Sequence, residues 1–145
     1  MQRITIIAVG NLRENFFKEA YSEYAKRISK FAKLSVIEVK ETNRLKEGEE
    51  IIKQLSKLKW ASFYALEING DCVTSESFAN LIEDESHVVF IIGGSDGLDE
   101  KIGSLPFINK VSFGRITFPH QLVRVVLAEQ VFRAFKIIKG EKYHK

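Results

Sequence analysis

His87 to Leu98 reads HVVFIIGGSDGL. Five consecutive apolar residues, four of them Val or Ile and none alternating with a polar side chain, fit a strand covered on both faces. Such strands belong to parallel sheets with helices on either side. Two glycines at the end of the run let the backbone come close to a ligand and present its N–H groups. The stretch therefore predicts a layered α/β fold and offers a candidate binding loop, a plain turn of glycines being the other reading.

The rest of the chain agrees with that reading. Upstream, RITIIAVG (3–10), KLSVIEVKE (33–41) and SFYALEING (62–70, closed by a turn at Asn69-Gly70) read as strands. Between them, 14–32 carries Phe17, Tyr21, Tyr24, Ile28 and Phe31 at helical spacing, and 44–58 does the same with Ile51, Ile52, Leu55 and Leu58. TSESFANLIEDE (74–85) offers Thr74 or Ser75 as the N-cap of a short helix. Downstream, LDEKIGSLPF is a weak helix interrupted by Gly103 and Pro106, KVSFG (110–114) a short fifth strand, and 120–138 a long final helix. Strictly alternating strands and helices predict an α/β fold with a mainly parallel sheet flanked by helices. With 145 residues and no linker or repeat, residues 1–145 form one domain.

Composition excludes several classes. No apolar run approaches the ~20 residues needed to cross a bilayer, and the opening run is too short for a signal peptide, so no membrane partner and a cytoplasmic location are expected. Cys72 is the only cysteine, and His87, His120 and His144 share no ligand spacing, so no metal is expected. The net charge is +3, yet from Phe113 onward seven Lys or Arg stand against two Glu, which puts +5 in this segment and −2 in the remainder. A basic end suits an anionic partner such as RNA, and a solvated lysine-rich terminus is the other reading.

The final helix is apolar around most of its circumference, with Glu129, Arg133 and Lys136 on one polar stripe. A sheet can cover only one flank, so a second subunit is expected on another, or else a broad core helix. Arg124 lies outside the polar stripe near the helix start, where the macrodipole disfavours a cation. It must be paired with a carboxylate or reach an anion site. The connection FGRITFPHQLVR adds a second candidate ligand loop, in which Gly114 permits close approach and Pro119 sets the chain before the helix. Neither a P-loop nor G-x-G-x-x-G is present, and no G-x-S-x-G elbow.

FYALEING (63–70), VVFIIGGSDGL (88–98), ITFPHQLVRVVLAEQVFRAFKI (116–137) and the terminal YHK (143–145) together resemble the SPOUT superfamily of RNA methyltransferases. The branch in question methylates N3 of a pseudouridine in large-subunit ribosomal RNA. The likeness spans essentially the whole chain and is most specific in its second half. It implies a SPOUT-type fold with a C-terminal trefoil knot, no appended RNA-binding domain, S-adenosyl-L-methionine (SAM) as cofactor, and a homodimer with the final helix in its interface. It also implies action on helix 69 of 23S rRNA in the assembled ribosome. By position it assigns Leu66, Gly94, Gly114, Arg115, Ile116, Thr117, Phe118 and Pro119 to the cofactor, and His120, Arg133 and Tyr143 to RNA. Arg124 and His144 are its candidates for promoting loss of the N3 proton. Arg115 and Ser95 depart from the family pattern, and the Arg115 side chain is expected to point outward. The alternatives are a SPOUT enzyme with another RNA target and a non-catalytic ribosome-binding protein.

Overall fold

The computed structural model describes residues 1–145 and contains five strands, β1 (Gln2–Val9), β2 (Ala32–Val39), β3 (Ser62–Cys72), β4 (His87–Ile92) and β5 (Ile108–Ser112). The helices are α1 (Asn15–Ile28), α2 (Arg44–Ser56), α3 (Ser75–Glu83), α4 (Glu100–Gly103) and α5 (His120–Ile138). The strands form one sheet in the order β2-β1-β4-β3-β5, and every neighbouring pair is parallel.

All six residues of β4 are buried, as its unbroken apolar run predicts. Alternate side chains feed two separate cores. Val88, Phe90 and Ile92 point to the side covered by α1, α3 and α5, with Ile28, Phe78, Leu127 and Phe135. Val89 and Ile91 point to the side covered by α2 and α4, with Ile51, Leu55 and Ile102. Thr74, not Ser75, caps α3, accepting from the Ser77 N–H while the Ser77 hydroxyl accepts from the Thr74 N–H.

Several boundaries differ from the sequence expectation: β5 spans Ile108–Ser112 rather than 110–114, α1 ends at Ile28 rather than reaching 32, and the difference with most consequence is in β3. β3 does not end at Asn69-Gly70; it bulges after Leu66 and rejoins β5 at Asp71 and Cys72, so that Leu66 and Asp71 both face Val111. Gly70 makes this possible because a Cβ there would lie 2.7 Å from the Lys110 carbonyl carbon and the Val111 nitrogen. The extra residues, 67–70, project from the carboxyl end of the sheet.

After β5 at the sheet's edge, the chain returns to the centre, and α5 packs between α1 and α3. Leu127, Ala128, Val131 and Phe135 are buried, while Leu122, Val125 and Val126 are half-buried along a second face. The helix thus keeps an apolar strip open to solvent in the single chain.

The opposite, amino-terminal end of the sheet carries two oddities. His87 is buried and its Nε2 lies 2.7 Å from Thr5 Oγ1. Trp60, in the α2–β3 connection, is the one non-glycine residue with positive φ, at 60°, a conformation that costs a bulky L-residue roughly 1 kcal/mol or more.

Burial, reinforced by the nearby Arg3 charge, lowers the His87 pKa below its ordinary value. Above about pH 6.5 the ring is neutral in folded and unfolded chains alike. Below that, the unfolded chain takes up a proton that the folded chain resists, so stability falls as pH drops through 6.5 toward the folded value. Melting curves from pH 7.5 to 5 should show this loss in the wild type and a flatter profile in His87→Gln.

Candidate active site

Three segments far apart in sequence meet at the carboxyl end of the sheet, where α/β folds bind ligands. They are the bulge of β3, the glycine turn after β4 and the connection from β5 to α5. The glycine turn is possible only because its side chains are missing. A Cβ on Gly93 would lie 2.6 Å from the Gly97 carbonyl carbon, and one on Gly94 would lie 2.9 Å from Val9 Cγ1. Gly97 itself has φ +78° and closes the turn by donating to the Gly94 carbonyl at 3.0 Å. In the β5–α5 connection, Gly114 has φ +126° and is fixed by Ser112, whose hydroxyl accepts from the Gly114 N–H and donates to the Gly114 carbonyl.

These segments enclose a cleft of about 950 Å³, within the range of small-molecule sites. Leu66, Gly94, Gly114, Ile116, Thr117, Phe118 and Pro119 all line it, so the structure brings together every position assigned to the cofactor except Arg115. Arg115 turns away, as expected: its guanidinium donates to the Ile68 and Gly70 carbonyls and to Ser112 Oγ. A cation at this position therefore braces the β3 bulge, a role that the sequence alone did not suggest. Glu67 also lines the cleft, and partial burial raises its pKa despite the opposing charge of Lys110. His120 stands on the wall at the first turn of α5.

Of the two readings of Arg124, a paired side chain or one that reaches an anion site, the structure shows the pair. Arg124 is 3% exposed and does not line the cleft. Nη1 donates to Glu38 Oε2 at 2.7 Å and Nη2 to the Gly10 carbonyl at 2.8 Å, while Nε is buried without a partner. The charge near a helix start is thus offset by a carboxylate and a carbonyl at the ends of β2 and β1. Burial pushes the adjacent Tyr21 phenol up to about 12, with Arg124 opposing the shift and Glu38 adding to it.

Arg133, Tyr143 and His144 form a separate cluster centred on Glu129. Arg133 Nη2 donates to Glu129 Oε2 at 2.7 Å, and the Tyr143 hydroxyl donates to the same oxygen at 2.8 Å. The hydrogen bond to Glu129 is the chief cause that raises the Arg133 pKa. Burial, then the hydrogen bond and charge of Glu129, push the Tyr143 phenol up to about 12. His144 lies between Arg133 Nη1, 3.1 Å from Nδ1, and Glu76 Oε1, 3.2 Å from Nε2. Because a guanidinium only donates, Nδ1 accepts and a neutral His144 carries its proton on Nε2, facing Glu76. Sequence placed Glu129 only on the polar stripe of the helix, although its i,i+4 spacing to Arg133 was a usable signal of the pair; Glu76 carried no signal.

From His120 to Arg133 is thirteen residues of helix, roughly 20 Å. Within one chain the cleft and the cluster are therefore too far apart to grip the same nucleobase. No helix is long and apolar enough to cross a membrane. No three His, Cys, Asp or Glu side chains are grouped so as to share a metal ion.

A glycine-lined cleft at the carboxyl ends of β3, β4 and β5 has the place and size of a small-molecule site in a parallel α/β fold. The chain belongs to the SPOUT methyltransferase family: the family described as "Predicted SPOUT methyltransferase" matches residues 2–144. Among curated proteins it is 44% identical to the ribosomal RNA large subunit methyltransferase H of Carboxydothermus hydrogenoformans, covering 98% of this chain and 99% of that protein. It is 47% identical to the protein of that name from Clostridium botulinum (strain Okra) and 44% identical to that from Mycoplasmopsis synoviae, with the same coverage.

Replacing Arg124 by Ala leaves the Gly10 carbonyl without its donor and opens a void beneath α5. Because Glu38 is half-exposed, the ion pair itself adds little. The expected loss of about 2 kcal/mol should lower the melting temperature by about 4–8 °C; a wild-type melting temperature would refute the bracing role.

Proposed function

We propose that this chain is a SAM-dependent methyltransferase that modifies N3 of a pseudouridine in helix 69 of 23S rRNA, in the assembled ribosome, as a cytoplasmic homodimer without a metal. The observation that carries the reading is the convergence of 66–69, 93–98 and 113–120 on one cleft, in a chain that matches large-subunit rRNA methyltransferases from end to end.

The cleft suits the cofactor. Its volume admits a nucleoside with an amino-acid arm, and its glycines leave backbone N–H and C=O groups free to read an adenine edge. Leu66, Ile116 and Phe118 supply apolar contact for the rings. Threading of the β5–α5 connection as a trefoil knot is part of the same proposal, and the return of the chain from the edge strand to the sheet's centre supports it. When bound, SAM supplies a methyl group on a positively charged sulfur. The protein's task is to hold that methyl in line with N3 and to promote loss of the N3 proton.

Of the two candidates for that proton, His144 is the accessible one: its side chain is 26% exposed, against 4% for Arg124. Arg124 instead positions the start of α5 and the end of β1. In the free chain the lone pair on His144 Nδ1 is taken up by Arg133. A substrate phosphate that draws the Arg133 guanidinium away would release that lone pair to accept a proton. Tyr143, kept neutral beside Glu129, is placed to stack on a splayed base. The separation of this cluster from the cleft supports a dimer in which one subunit's tail serves its partner's cleft, with the half-buried Leu122, Val125 and Val126 strip covered in the interface.

The test is mass spectrometry of large-subunit RNA from ribosomes of a strain lacking the gene, before and after incubation with purified protein and SAM. A new methyl group on a helix 69 pseudouridine is expected; methylation elsewhere would reassign the target, and none would overturn the reading. His144→Ala should lower the methylation rate by about 100-fold or more while SAM affinity by calorimetry stays within about twofold.

A further inference from the structure

Trp60 has no evident use inside the fold. At 93% exposure its ring is in water on nearly every side, and its backbone is held in the left-handed region that glycine occupies without strain. Folding alone favours glycine, asparagine or a polar residue in such a turn. A strained bulky residue is grounds for seeking a function, and its surroundings indicate which one. Lys57 and Lys59 precede it in sequence by three residues and one and are exposed, and the six ion pairs of the fold include neither. On the neighbouring strand entrance, Phe107 is 49% exposed and packs edge-on against Phe63, 5.3 Å between centroids.

These side chains belong to the amino-terminal end of β3 and β5, whereas the cleft starts at Leu66 and lies at the carboxyl end. Six residues of mostly extended chain separate Trp60 from Leu66, roughly 20 Å. The corner is thus distinct from the cleft.

We propose that Trp60, with Lys57 and Lys59, is a second RNA contact that anchors the enzyme on its ribosomal substrate away from the modified base. The indole stacks on an unpaired or helix-end nucleobase, and the lysines take the adjoining phosphates. An exposed aromatic face with unpaired cations in the residues just before it matches the two parts of a nucleotide, the π-face of a base and the negative charge of its phosphate. A protein partner would leave two unpaired ammonium groups to be matched separately. The proposal rests on the ribosomal RNA reading given above and extends it from the reacting nucleotide to the docking of the particle.

The test uses full-length protein and purified ribosomes from the deletion strain. Trp60→Gly removes the ring and relieves the backbone, so it keeps the fold. It should weaken ribosome binding by about tenfold without lowering the melting temperature or changing SAM affinity, and Trp60→Phe should restore most of the binding. Lys57→Ala with Lys59→Ala should flatten the slope of log affinity against log salt by about 1.4, the value for two phosphates of a single strand. Wild-type affinity and slope in both variants would overturn the proposal, as would binding by Trp60→Phe no better than by Trp60→Gly. A change of oligomeric state in Trp60→Gly with unaltered ribosome binding would also overturn it, by assigning the corner to a second copy of the chain. If the wild type methylates ribosomes and Trp60→Gly binds them equally well, only this inference fails. If the wild type neither binds nor methylates them, the enzyme reading fails and takes this one with it.

Discussion

A single strand with both faces in apolar surroundings, β4, dictates the layering of this protein. Its odd and even side chains must each be covered, so helices are needed above and below, and α1, α3 and α5 take one side while α2 and α4 take the other. Because the neighbouring strands run parallel to it, all their carboxyl ends open on the same edge. The glycine turn after Ile92 sits at the middle of that edge. It acquires walls from β3 on one side and from the β5–α5 connection on the other, and the cleft follows from where these three connections must leave the sheet.

The positions of the ten elements were legible because the chain has clear periodicities and few ambiguous runs. Alternation marked β2, three- and four-residue spacing marked α1 and α2, and Thr74 marked the start of α3. The β3 bulge was not legible, since Asn69-Gly70 signals a turn equally well whether the strand stops there or resumes. What distinguishes the cases is the close approach of Gly70 to the β5 backbone, a contact between segments forty residues apart. The same limit applies to Arg124. Its position demanded a partner, and intramolecular pairing was one of two readings, but Glu38 is 86 residues away and carries no mark of the pairing. The cofactor positions came from family resemblance; their convergence on one cleft is a property of the fold that local patterns do not contain.

The two polar assemblies on α5 differ in kind. Arg124 is locked by groups from the strands and holds the helix against the sheet. Arg133 is held by carboxylate, imidazole and the Tyr143 ring, with its guanidinium 4.8 Å from the ring centroid. All of these are partly open to solvent, so a phosphate can compete for it. A helix with one fixed and one exchangeable arginine joins a rigid pocket to a responsive surface. Arg115 extends the rigid part by bridging the bulge carbonyls, and so strengthens the wall it adjoins.

The hydrogen bond between Arg124 and Gly10 spans 114 positions of the chain, and this has a consequence for how the molecule is made. The packing of β1 cannot be finished until α5 arrives, because Ile6, Ala8, Phe90 and Ile92 share their core with Leu127, Val131 and Phe135. Contacts so distant in sequence close late, after most of the loop entropy has been lost. During synthesis the growing chain therefore shows an uncovered apolar sheet face to chaperones and proteases. Completion of α5 hides that face and shapes the cleft in the same event, so quality control and competence for function depend on one closing step.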